Sequence, residues 1–184
     1  MKFSLKSNYE KFSKTFINFG RELTDSIIPD TVEKLLKQMC EDMIEDIKAN
    51  IGDIREGSGL SKIDFTDIEP VYDKANGTGT IYVGKNTTPL EMRDHTMVNP
   101  YLFIQFGYGI VGQENPVQYH TFNRWEYNIN NHVKAWSYIG TDGEEYWTRG
   151  RKGTNFFYKI IAKYRQQWKD IVKQEIQEYY NTRR

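Results

Sequence analysis

Gly107, Gly109 and Gly112 have the spacing of a phosphate-binding loop and stand directly after the apolar run 101 to 106. In a dinucleotide fold such glycines let the backbone turn tightly, approach a pyrophosphate and open a helix whose N-terminus holds it. The residues that follow argue otherwise. Gln113-Glu114-Asn115 runs into Pro116, whose ring pushes Asn115 out of the helical region, so the crossover helix is expected to be missing. Glu126 lies at a superficially suitable distance for a ribose contact, but within Trp125-Glu126-Tyr127, where no strand pattern leads to it. A glycine-rich turn at a strand end is the simpler reading, with at least one of the three glycines at positive φ and no nucleotide.

Other reactive side chains are no better placed. Glu144 and Glu145 are neighbours on an expected strand, so they point to opposite faces and cannot work as a carboxylate pair on one substrate. His120 and His132 have no acidic partner fixed by spacing and no Ser or Cys in a nucleophile motif. Cys40, the one cysteine, and the scattered His95, His120 and His132 show no zinc-ligand spacing. Cys40 instead falls beside Met39 and Met43, where a small buried hydrophobe fits. The sequence calls for no cofactor, no metal and no enzymatic residue.

The chain has 184 residues with 25 basic and 25 acidic side chains, 38% hydrophobic and 15% aromatic residues, which describes a single domain, 1 to 184. A folded chain of this size buries roughly 70% of the surface it exposes when unfolded, so a core can form without disulfides. No apolar run approaches membrane-spanning length, and the start MKFSLKSNYEK lacks a signal-peptide stretch, so the protein is expected to be made and kept inside a cell. The zero net charge hides a split. Residues 149 to 184 hold ten Lys/Arg against three Asp/Glu, a local charge of +7 that leaves -7 on the rest.

Residues 1 to 28 mix an alternating start (Met1, Phe3, Leu5) with Phe12, Phe16, Ile17, Phe19 and Leu23 at helix-like spacing, and no single element is assigned there. From 31 to 51, Val32, Leu36, Met39, Met43, Ile47 and Ile51 recur every three to four residues, which predicts a long amphipathic helix capped by Asp30 and stopped by Gly52. Residues 66 to 149 are read as strands and hairpins. Ile68, Val71 and Tyr72 pair with residues 80 to 83 across Asn76-Gly77, which tolerates positive φ, and Pro70 marks an edge strand. Residues 101 to 106 read as a buried strand. Residues 135 to 139 pair with 145 to 148 across Thr141-Asp142-Gly143.

The last helix, 155 to 180, gathers Phe157, Ile160, Ile161, Tyr164, Trp168, Ile171 and Val172 on a buried face. Lys159, Lys163, Gln166, Asp170 and Lys173 lie opposite in solvent. The expected fold is α+β, an antiparallel or mixed sheet with hairpins packed against two long helices. Trp125, Trp136 and Trp147 with Tyr119, Tyr127, Tyr138 and Tyr146 crowd one stretch, where aromatics serve core packing, protein interfaces or a glycan platform.

Residues 99 to 168 resemble a family of small head-tail connector or tail-completion (neck) proteins of long-tailed bacteriophages and prophages. The resemblance rests on Gln105-Phe106-Gly107-Tyr108-Gly109-Ile110-Val111-Gly112, Trp125-Glu126-Tyr127-Asn128, Trp136-Ser137-Tyr138, Tyr146-Trp147-Thr148 and Phe156-Phe157-Tyr158. Gln105 and Tyr108 stand where the family usually has Glu and Thr, and Gly153-Thr154-Asn155 replaces its small-residue-Arg-Pro entry to the last helix. The resemblance implies a virion structural protein without catalysis, present in the host cytoplasm during assembly. Its implied partners are copies of itself in an oligomeric ring and the neighbouring head connector and tail-tube or tail-terminator proteins, with no membrane and with passage of DNA through the ring lumen. It makes Phe106, Gly107, Gly109 and Gly112 a structural loop. Lys159, Lys163, Lys173, Trp125 and Trp136 become interface candidates, the charge split supplying unlike patches for ring contacts. The alternative is an aromatic-rich carbohydrate- or partner-binding module.

Overall fold

The computed structural model describes residues 17–18, 20–51, 60, 63–91, 95–117, 135–139 and 143–182. The Trp125-Asn128 motif, His120, His132, Gly52, Phe19 and the pattern over residues 1 to 16 lie outside them. The first long helix, α1 (Ile28–Asn50), continues a π-helical turn at Leu23–Ile27 rather than starting at a cap. Asp30 is therefore not a cap but an exposed position inside the helix. The reason lies at Pro29, which cannot donate to the carbonyl four residues back. The wider register just before it, in which the Ile28 N–H donates to the Leu23 carbonyl, lets the helix pass through. Thr31, almost fully buried, satisfies its hydroxyl by donating to the Ile27 carbonyl at 2.6 Å.

Strands β1 (Ile68–Asp73) and β2 (Thr78–Val83) form the predicted antiparallel hairpin, with Pro70 opposite Ile81. Asp73 accepts from the Ala75 and Asn76 N–H groups, and Gly77 takes φ 61° to close the turn. Two short strands follow, β3 (Leu90–Glu91) and β4 (Met97–Val98).

Residues 101 to 106 form a helix, α2 (Tyr101–Phe106), and not the expected strand. A six-residue apolar run cannot be assigned by periodicity alone, and Asn99-Pro100 decides it. Pro100 sits at φ -61° and the Asn99 side chain accepts the Tyr101 N–H at 3.0 Å, so the first helical turn is made locally. Strand β5 (Gly107–Tyr108) and the short helix α3 (Gly109–Glu114) come next. The predicted second hairpin is present as β6 (Trp136–Ile139) and β7 (Glu145–Thr148). Strand β8 (Gly150–Lys152) leads to the last helix, α4 (Phe156–Asn181), close to its predicted bounds.

The architecture is α+β, with two long helices and small antiparallel sheets. Among the described residues every sheet has two strands, and they do not join into one. The core gathers Cys40, Met43 and Ile47 of α1, Ile68 of β1, Tyr101, Phe103 and Ile104 of α2, and Phe156, Ile160 and Tyr164 of α4. On α4 the fully buried ring is Phe156, while Phe157 and Trp168, expected in the core, are half-buried. Helix α2 lies under the start of α4, and the Phe156 ring meets the Tyr101 ring edge-on at 6.4 Å.

Candidate interaction surfaces

The glycine loop is a place where two backbones touch. β5 pairs antiparallel with β8, Gly107 opposite Lys152 and Tyr108 opposite Arg151, and Gly109 bridges Gly150. Gly107 and Gly109 have φ of 80° and 65°, as expected from the sequence. A Cβ on Gly107 would come within 2.5 Å of the Arg151 carbonyl oxygen and the Gly153 nitrogen, closer than any real Cβ sits. A Cβ on Gly150 would come closer still to the Tyr108 carbonyl oxygen, and one on Gly153 within 2.5 Å of the Gln105 carbonyl oxygen at the end of α2. A helix does open at Gly109, but it lasts six residues and stops before Asn115-Pro116, and every strand pair among the described residues is antiparallel, so it is not the crossover helix of a dinucleotide fold. The Val111 N–H donates to the Arg149 carbonyl at 3.1 Å, so this seam uses its backbone donor on protein. Phe106 is buried beside it, its ring 6.3 Å from that of Tyr158.

The same seam builds the start of α4. The Thr154 and Asn155 N–H groups donate to the Ile104 and Gln105 carbonyls at 2.8 and 3.1 Å. Asn155, at the N-cap, is left-handed with φ 59°. Its side chain makes no local cap, and the buried Gln105 caps instead, accepting the Phe157 N–H at 2.9 Å and donating to Asn155 Oδ1 at 3.1 Å.

Helices α1 and α4 are joined by a polar ladder. Lys159 pairs with Asp46 at 2.7 Å, Lys163 with Asp42 at 2.5 Å, and Lys34 with Glu175. Tyr180 donates to Glu22 at 3.4 Å beyond them. As the numbers rise on one helix they fall on the other, so the two run antiparallel. Lys159 and Lys163, expected to be free in solvent as interface residues, are thus bound to their own chain, although each side chain stays 48% exposed. Lys173 is exposed as expected. Burial by itself would push the Asp42 carboxyl up, but hydrogen bonds from Lys163, Gln38 and Tyr164 outweigh it and hold the group below its ordinary range. Burial, and then the hydrogen bond to Asp42, push the Tyr164 phenol up to about 12.

Elsewhere the reactive groups are engaged in structure. Burial, with the Glu41 charge nearby, pushes the Cys40 thiol up to about 11, in keeping with the small buried hydrophobe read from the sequence. Arg151, half-buried, donates to the Ile51 carbonyl just past the end of α1, and burial lowers its pKa. A shallow groove of about 420 Å³ on α1 is lined by Asp30, Glu33, Lys34, Lys37, Gln38 and Glu41, where Lys37 and Lys34 are tied to Glu33 and Glu175. On the β6–β7 hairpin Ser137, Ile139, Glu145 and Trp147 share one face, and Ile139 and Trp147 are 67% and 65% exposed. Trp136 lies on β6, opposite Thr148. No group of three or more His, Cys, Asp or Glu among the described residues is arranged to hold a metal ion, and none of their helices is long and apolar enough to cross a membrane.

No family model, curated protein or solved structure matches this chain. Sequence reasoning singled out the glycines but missed Gln105 as a cap, and Asp42 and Asp46 as the partners of the lysines.

Proposed function

We propose that the protein is a virion structural subunit of a phage or prophage, a ring-forming head-tail connector or tail-completion protein without catalysis. The observation that carries this reading is the convergence of the motifs behind the resemblance. Gln105 to Gly112 and Phe156-Phe157-Tyr158 are far apart in the chain, yet they meet, Gln105 accepting the Phe157 N–H at 2.9 Å and the Phe106 ring lying 6.3 Å from that of Tyr158. Motifs that meet in this way act as a framework, which suits a family whose shared residues are structural. Copies of the chain would contact each other head to tail, and the head connector and tail tube would contact the two faces of the ring.

Deleting the gene should leave DNA-filled heads and separate tails that fail to join. Normal infectivity of the deletion would reject the reading. A second reading, an aromatic partner- or carbohydrate-binding module, is favoured by one feature, the exposed Trp147 beside Ile139. Titrating soluble glycans against tryptophan fluorescence separates the two, since a connector should give no saturable change.

A further inference from the structure

With Lys159 and Lys163 held by α1, the remaining cations of α4 form one stripe, flanked at Lys173 by the exposed Asp170. Arg165, Lys169 and Lys173 recur at i, i+4 and i+8, all exposed, and none forms an ion pair with a described residue. Three such positions share one face over about 12 Å of helix. Helix α1 carries the opposite stripe. Asp30, Glu41 and Glu45 fall on a common outward face, exposed and without an ion pair among the described residues. Of the lysines on that face, Lys34 is occupied by Glu175, Lys37 by Glu33, and Lys48 lies within electrostatic range of Asp64.

We propose that the Arg165–Lys169–Lys173 stripe of one copy docks on the Glu41–Glu45 face of a second copy. The two stripes lie on different helices and have opposite sign, so each copy offers both, and the contact joins copies either reciprocally in a two-fold pair or head to tail along a ring. The chain's zero net charge favours a copy of itself over nucleic acid, whose phosphates would be attracted by three cations and repelled by the acidic remainder. The inference rests on the connector reading for its biological setting, and its test is independent of infectivity.

The test is sedimentation velocity of the full-length protein over a range of concentrations, in about 0.05 M and about 0.5 M salt. Self-association is expected at low salt and should weaken at least about tenfold at high salt. Two variants are then compared, Glu41→Lys/Glu45→Lys and Arg165→Glu/Lys169→Glu/Lys173→Glu. Each should keep the wild-type melting temperature and sediment as a monomer, and an equimolar mixture should associate, because each variant supplies the charge that the other needs. A neutral variant, Arg165→Gln/Lys169→Gln/Lys173→Gln, should associate more weakly than wild type, which covers the case in which a reversal disturbs folding. A wild type that is monomeric throughout, a folded reversal variant that associates normally, or a mixture that stays monomeric would overturn the proposal. So would a stripe variant that loses duplex DNA binding while the wild type stays monomeric. If mixing fails while the deletion still blocks joining, this surface is wrong and the connector reading stands. If mixing restores association while the deletion remains infectious, the surface is right and the connector reading falls.

Discussion

Gln105 and Asn155, 50 positions apart, hold each other by a side-chain hydrogen bond of 3.1 Å while Gln105 also accepts the Phe157 N–H at 2.9 Å. The N-terminus of α4 is thus capped by a residue from α2, so the last helix cannot be seated unless the two segments have met. Asn155 contributes its backbone N–H to the Gln105 carbonyl and its side chain to the Gln105 amide, which makes the pair reciprocal.

Replacing Gln105 by Leu should cost about 1 to 3 kcal/mol, because the Phe157 N–H and the Asn155 side chain lose a buried partner. Gln105→Glu should cost less, since a carboxylate at a helix N-terminus still accepts the N–H and the Asn155 amide can turn to donate to it. Urea denaturation measures both, and an unchanged midpoint for Gln105→Leu would show that the cap contributes nothing.

The glycine seam makes a differential prediction. Gly150→Ala places a Cβ against the Tyr108 backbone at φ 90° and should cost about 3 kcal/mol or more. Gly77→Ala has a similar positive φ but open space around it, so only the left-handed strain of about 1 kcal/mol remains. Equal losses at the two sites would mean that the seam is not closely packed.

Phe156→Ala should destabilise by about 3 to 5 kcal/mol, as expected for a fully buried ring. Phe157→Ala should cost clearly less because that ring is half-buried, and Lys169→Ala should stay within about 0.5 kcal/mol. Thermal unfolding of the three variants gives the order, and a larger loss at Phe157 than at Phe156 would contradict this packing.

Asp42 and Tyr164 give the helix ladder a signature at both ends of the pH scale. The Asp42 carboxyl is lowered from its ordinary 3.8, so its contribution is complete above that value and is lost as pH falls below it through the lower folded pKa. The Tyr164 phenol is raised from 10.0 to about 12, so its contribution is complete below pH 10 and is lost as pH climbs toward 12. Asp42→Asn should flatten the acid slope of the denaturation free energy, and Tyr164→Phe the alkaline one. Unchanged slopes in both variants would show that this contact does not form in solution.

What the sequence determined by itself was local. The β1–β2 and β6–β7 hairpins follow from turn residues within a few positions of the strands they join, and α4 from an apolar period along one segment. Residues 101 to 106, apolar except for Gln105, fit a buried strand or a buried helix equally by periodicity, and the local start at Asn99-Pro100 selects the helix. Two matters were decided by tertiary structure. The glycines fit a phosphate loop until β8 fills the space in front of them. Lys159 and Lys163 lie on the polar face of α4 by periodicity, yet their carboxylate partners sit 113 and 121 residues away. Periodicity gives the direction in which a side chain points along its own helix, whereas what meets it depends on how distant segments close on one another. In this protein that closure assigns Lys159 and Lys163 to the chain itself and leaves Arg165, Lys169 and Lys173 facing outward.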